Sequence, residues 1–286
     1  MTQHNREIDA MALTQKNPWL RSQTQLIVTL LFGQAFFLGA TTALLYIASN
    51  TLFLVDFDPE FLPYVYIATG IVVSILFFGL TALQRHWSQV RLIAILLILE
   101  GLVFLLTRLA LTLPNARWVS IFLMILFPLT VQLMVIILGG QVGRLLDVRE
   151  TKRLYPIIFS GATIGFIITS LGSPFLVTLL TNVANLLVVA GVAVMLALVI
   201  FLATVRQFSD KFQFQVEPVN PNRPARSLGQ LLKRRYTLNL FSYQMLSAIG
   251  SQLVIYIFLV QADARFTDEV TLARFFGNFG GIRNVF

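Results

Sequence analysis

The sequence has no cysteine, which excludes a disulfide framework and any thiolate metal site. Its two histidines, His4 and His86, lie outside the apolar stretches, so a histidine metal centre is not expected either. Charge is the next shortage. Only 12% of the 286 residues are Asp, Glu, Lys or Arg, about half of the ~25% found in soluble domains. A water-soluble globule of this length would lack the charge to cover its surface. That excludes a soluble enzyme, a disordered chain and a nucleic-acid-binding domain, despite a pI near 10.2. The sequence also lacks the phosphate-binding patterns GxxxxGKS/T and GxGxxG, and the hydrolase patterns HExxH and GxSxG. No enzymatic activity and no cofactor are therefore expected.

What is abundant is apolar. Hydrophobic residues make up 57% of the chain, and the mean hydropathy is +0.79. Seven runs are long enough to cross a bilayer, which takes about 20 residues each. They cover 26–49, 62–83, 92–113, 118–140, 156–180, 183–205 and 238–260, and an eighth begins near Leu272. Each is continuously apolar, so helices are expected in place of the alternating ~10-residue strands of a barrel. The first run is too long for a signal-peptide core and follows a polar segment, residues 1–24, so it reads as a retained anchor. The expected fold class is an all-α integral membrane protein.

Basic residues are divided unequally between the two sides. Sixteen fall in the N-terminal segment and the second, fourth and sixth loops, against three (Arg117, Arg265 and Arg274) in the odd loops. This asymmetry predicts a cytoplasmic N-terminus and cytoplasmic even loops, with Asp56, Asp58 and Glu60 outside. The sixth loop, residues 206–237, holds Pro218, Pro221 and Pro224 and reads as an exposed linker. The run Lys233, Arg234, Arg235 reads as a juxtamembrane anchor against anionic lipid. Six helices (25–205), a basic linker and then further helices (238–286) is the layout of a two-bundle transporter. The second bundle is expected to be incomplete, with its helices loosely packed for want of partners.

Polar residues inside the spans mark candidate sites. Gln34, Gln132, Tyr243 and Gln252 lie on helices one, four and seven, and Asn50 lies at the end of helix one. Together they are the expected lining of a central substrate cavity, although interhelical hydrogen bonding would explain the glutamines equally well. Helix six, nearly pure hydrocarbon, is expected to face lipid. Glu100 is the one acid deep in a span. It needs a proton, a partner or water, because an unpaired charge at mid-membrane costs at least about 2.5–3.5 kcal/mol. Arg108 lies eight residues further on, about 12 Å along the axis, too far for a direct pair and well placed to snorkel to the interface.

The densest signal is the segment 139–165. Gly139 and Gly143 form one GxxxG pair, and Gly161 and Gly165 form another; small residues at this spacing let helices approach closely. Between the pairs lie Arg144, Asp147, Arg149, Glu150, Lys152 and Arg153. Beyond anchoring, the mixed signs predict a cytoplasmic gate in which Asp147 latches onto basic neighbours. Pro156 suits the first turn of helix five.

The stretch RLLDVRETKRLYPIIFSGATIGFIIT resembles the loop between helices four and five of the ATP/ADP translocase family and its bacterial relatives. The second-helix stretch LPYVYIATGIVVSILFFGLTALQRHWSQVRLI and DEVTLARFFGNFGGIRNVF are similar to the same bacterial branch. The resemblance implies a major facilitator-type bundle of twelve helices in a bacterial inner membrane, exchanging nucleotides by alternating access. The implied partners are membrane lipid and a small-molecule substrate, a nucleotide; nucleic acid is not among them, and nothing points to an oligomeric state. Where nucleotide exchangers carry a charged cluster near the end of helix one, this sequence has the uncharged stretch 46–52. That departure supports an alternative, a membrane sensor or interaction protein that keeps the fold without transport.

Overall fold

The computed structural model describes residues 18–84, 87–180, 182–213, 235–266 and 268–285. Among them every regular element is helical. In chain order these are α1 (Pro18–Asp56), α2 (Leu62–Leu83), α3 (Gln89–Ala110), α4 (Arg117–Leu145), α5 (Val148–Leu180), α6 (Leu186–Gln207), α7 (Arg235–Arg265) and α8 (Glu269–Arg283). Short 3₁₀ turns, Pro59–Phe61 and Val183–Asn185, lead into α2 and α6, and a helical turn, Ser209–Gln213, follows α6. Helices α1 to α7 are long and apolar enough to cross a membrane. The chain is a multi-pass helical membrane protein.

Several helix boundaries differ from the sequence reading, two of them with consequences for the segments they bound. Helix α5 begins at Val148, so most of the charged segment is helical and only Leu146 and Asp147 separate it from α4. Pro156 is consequently interior to α5, as is Pro174. The Arg, Glu and Lys residues ahead of Pro156 are good helix formers, and a membrane helix tolerates an internal proline. Helix α3 ends at Ala110, short of 113, in a turn whose Asn115 takes φ 64°, a left-handed conformation that asparagine adopts more readily than most residues.

Helix α1 is the axis of the fold. It is buried almost without interruption from Gln34 to Leu54, with Phe32, Gly33, Phe36 and Phe37 only partly covered, and it packs on α4, α5, α6 and α8. Its closest neighbour is α5. A Cβ on Gly161 would meet the Phe32 carbonyl oxygen, one on Gly165 the Phe36 carbonyl oxygen, and one on Gly39 the Ala162 backbone. Glycine on both helices therefore sets the separation of their axes. At Gly139 and Gly143 an added Cβ would meet open space, so that pair has no facing helix among the described residues.

Helix α8 departs from the loose packing expected of it. Leu272, Ala273 and Phe276 are buried, and the helix lies against α5 and α1. A side chain at Gly277 would strike Ser173, and one at Gly281 would crowd Leu171. Four small residues on one face, Ala273, Gly277, Gly280 and Gly281, let a 15-residue helix bury itself against a larger bundle. Helix α7 is the exposed one: only Leu259 and Ala262, near its end, are buried. At the far end of α3, Arg108 Nε donates to Asn185 Oδ1 at 2.7 Å, tying α3 to the turn before α6.

Candidate substrate cavity

The buried centre of α1 is polar as well as apolar. Thr41, Thr42, Ser49, Asn50 and Thr51 are all inside the protein. The hydroxyls of Thr41, Thr42 and Ser49 donate back to carbonyls three or four residues earlier, which satisfies them within the helix; Thr41 also reaches the Ala190 carbonyl of α6 at 3.4 Å. Asn50 Nδ2 does the same, donating to the Tyr46 carbonyl at 2.7 Å. Tyr46 and Asn50, four residues apart, share one face of the helix.

That face meets an aromatic cluster. The Tyr46 ring lies 5.5 Å from Phe127 of α4 and 6.1 Å from both Phe166 of α5 and Phe276 of α8. Arg283 Cζ sits 5.7 Å from the Tyr46 ring centroid, within the range of a cation–π contact. A cavity of about 230 Å³ opens beside this group, between α1, α2, α4, α7 and α8. Its polar walls are Tyr46, Asn50, Tyr66, Thr69, Gln252 and Arg283. Tyr66 Oη is buried there without a hydrogen-bond partner. Pro128 also lines the wall, and its missing N–H frees the carbonyl four residues back, on Met124 of the same wall. A second cavity of about 520 Å³ lies between α1, α4, α5 and the end of α8, with Thr42, Ser160, Thr163 and Asn284 on its walls. Phe127 and Arg283 border both cavities, so the guanidinium stands at the junction.

The structure sorts the expected cavity residues by helix face. Asn50 and Gln252 come together in the first cavity. Gln132 is exposed; it follows Phe127 by five residues, about 140° around α4. Tyr243 is 69% exposed and precedes Gln252 by nine residues, about 180° around α7. Gln34 is fully buried, and neither of its amide atoms has a hydrogen-bond partner; it lines neither cavity. The sequence reading passed over Tyr46, Tyr66 and Thr69 as site residues. The four-residue spacing of Tyr46 and Asn50 was the signal available, since it places a ring and an amide on one face. Arg283, in the last turn of α8, carried no sequence signal of its own.

The charged segment after α4 is arranged differently from the expected latch. The acid that reaches another helix is Glu150: its Oε1 accepts from Thr24 Oγ1 of α1 at 3.2 Å, and its Oε2 accepts from the Asp147 N–H at 3.4 Å. Asp147, Arg149, Lys152 and Arg153 are exposed, and no ion pair joins these groups among the described residues. Arg144 donates to the Phe212 carbonyl, and Lys211 Nζ donates to the Leu145 carbonyl at 3.0 Å. Thus the helical turn after α6 is clipped to the end of α4. The physical reason for the change from Asp147 to Glu150 is the early start of α5, which leaves Asp147 in the connecting corner and turns Glu150, in the first turn, toward α1.

Comparison of the chain with models of known families, with curated proteins and with solved structures finds no match.

Proposed function

We propose that the protein is a major facilitator-type carrier of an anionic small molecule, working by alternating access, with nucleotides of the ATP/ADP kind as its substrates. The observation that carries this reading is Arg283 stacked on Tyr46 at the junction of two cavities, where helices of the first bundle face α7 and α8. A guanidinium at such a place supplies charge and directed N–H donors to a phosphate. Tyr66 Oη and the amides of Asn50 and Gln252 add uncharged donors on the same walls. Phe127, which borders both cavities, and Phe166 on the wall of the larger one offer ring faces to a base. The uncharged 46–52 stretch of α1 is thereby complemented from another helix.

In this reading the first six helices and the helices from α7 onward rock against each other around the Arg283 junction. The close α5–α8 contact at Ser173 and Gly277 is one surface on which they would move. The protein sits in a bacterial inner membrane with its N-terminus in the cytoplasm. That orientation rests on the basic residues of the even loops.

The test is exchange in proteoliposomes loaded with unlabelled ATP and supplied with labelled ADP. Exchange should be detected, and Arg283→Gln should reduce it at least about tenfold, the loss of one charge-assisted contact. Absence of exchange with ADP and with smaller organic phosphates would overturn the carrier reading in favour of a sensor.

A further inference from the structure

On the opposite side of α4 from the Arg283 junction lies a third cavity, of about 360 Å³, enclosed by α2, α3 and α4. That volume falls in the lower part of the range for small-molecule pockets, about 300–1,000 Å³. Its walls are hydrocarbon except at two points, Glu100 of α3 and Thr130 of α4. Glu100 is 5% exposed, and its Oε1 has no hydrogen-bond partner. The Thr130 hydroxyl faces the carboxyl without reaching hydrogen-bond geometry, so it too is unsatisfied. The rim is open to the lipid-facing surface: Leu76 is 45%, Leu99 51% and Phe122 38% exposed.

A buried acceptor left unmatched in hydrocarbon costs free energy until a donor reaches it. A donor supplied by a ligand has to arrive with an apolar body, because the other lining side chains are apolar. A hard metal cation does not fit, since it requires several oxygen ligands and this site offers one carboxyl and one hydroxyl. A lipid alcohol would bring a donor but no counter-charge. An ammonium brings both, and a charge-assisted N–H···O bond is about twice as strong as a neutral one. We propose that this pocket is a binding site for lipophilic amines, entered from the bilayer between α2, α3 and α4, with the ammonium on Glu100 and the alkyl body against Leu76, Leu99 and Phe122. The site shares no residue with the Arg283 junction and does not depend on the carrier reading.

The experiment uses purified protein in phosphatidylcholine nanodiscs. Dicyclohexylcarbodiimide, which enters apolar regions and adds to carboxyl groups, should modify Glu100, located by peptide mass spectrometry. N,N-dimethyloctylamine should slow that modification at least about fivefold, whereas octanol at equal concentration, lacking the charge, should not. The amine should also raise the unfolding temperature of the wild type but not of Glu100→Gln. Should Glu100→Gln fail to fold, Leu99→Trp serves instead: it narrows the exposed mouth, keeps the carboxyl and should lose the amine-induced shift. An unmodified Glu100, equal modification with and without amine, equal protection by octanol, or a persistent shift in Leu99→Trp would each overturn the proposal.

Discussion

The guanidinium carbon of Arg283 lies 5.7 Å from the ring centroid of Tyr46, joining residues 237 positions apart in the sequence. The contact brings the C-terminal end of α8 to the polar face of α1. It holds the cation against a ring that is itself enclosed by Phe127, Phe166 and Phe276. If this is the anion site, Arg283→Gln should weaken ADP binding in nanodiscs by about tenfold or more, equivalent to ~1.4 kcal/mol. Arg283→Lys should recover only part of it, because a point charge lacks the planar fork and the stacking. Titration calorimetry on the three proteins decides this; equal affinities would remove Arg283 from the site.

The two GxxxG pairs should respond oppositely to alanine. Gly165→Ala forces a Cβ into the Phe36 carbonyl, and relieving it requires α1 and α5 to separate, at a cost of roughly 1–3 kcal/mol. Gly139→Ala meets no atom within 4 Å, and better helix propensity should make it neutral or stabilising by up to about 1 kcal/mol. Thermal unfolding in detergent measures both. A Gly139→Ala protein as destabilised as Gly165→Ala would contradict the asymmetry.

Glu150, not Asp147, is the acid of this segment that bonds another helix, accepting from Thr24 of α1. Thr24→Val should therefore loosen that end of the bundle by about 1 kcal/mol, the net worth of one hydrogen bond. Labelling of a cysteine introduced at Ser160, on the wall of the larger cavity, should then speed up several-fold. Asp147→Asn, at an exposed carboxylate, should leave the rate unchanged. The reverse order of effects would make Asp147 the residue that closes this end.

Orientation can be read without removing native thiols, since the chain has none. A cysteine at Ser209, in the turn after α6, should react with an impermeant maleimide only after the cells are opened. One at Asp58, in the first loop, should react in intact cells. Labelling at Ser209 from outside would reverse the topology.

Much of the fold is legible in the sequence because a bilayer imposes a simple rule. A run of about 20 apolar residues has to span it as a helix, since no water is present to satisfy an open backbone. All seven expected spans are helices long and apolar enough to cross. Boundaries moved where a helix continues past the expected run, through charged residues back to Val148 in α5 and through the mostly apolar 50–56 in α1. The site was less legible. Asn50 and Gln252 line a cavity that Gln132 and Tyr243 do not reach, yet all four are polar residues near or within apolar spans.

The amino-acid sequence by itself determined the class of the molecule, the number of long apolar helices and the pairs of small residues at helical spacing. Each of these follows from local composition and a 3.6-residue period. What only the tertiary structure decided is which face of each helix meets which neighbour. Gly161 and Gly165 press on α1 while Gly139 and Gly143 face open space, although the two motifs are locally identical. In a hydrocarbon solvent both faces of a helix can be apolar, so composition does not mark the inner one. The choice falls to close packing between helices far apart in sequence, and that packing placed Arg283 on Tyr46.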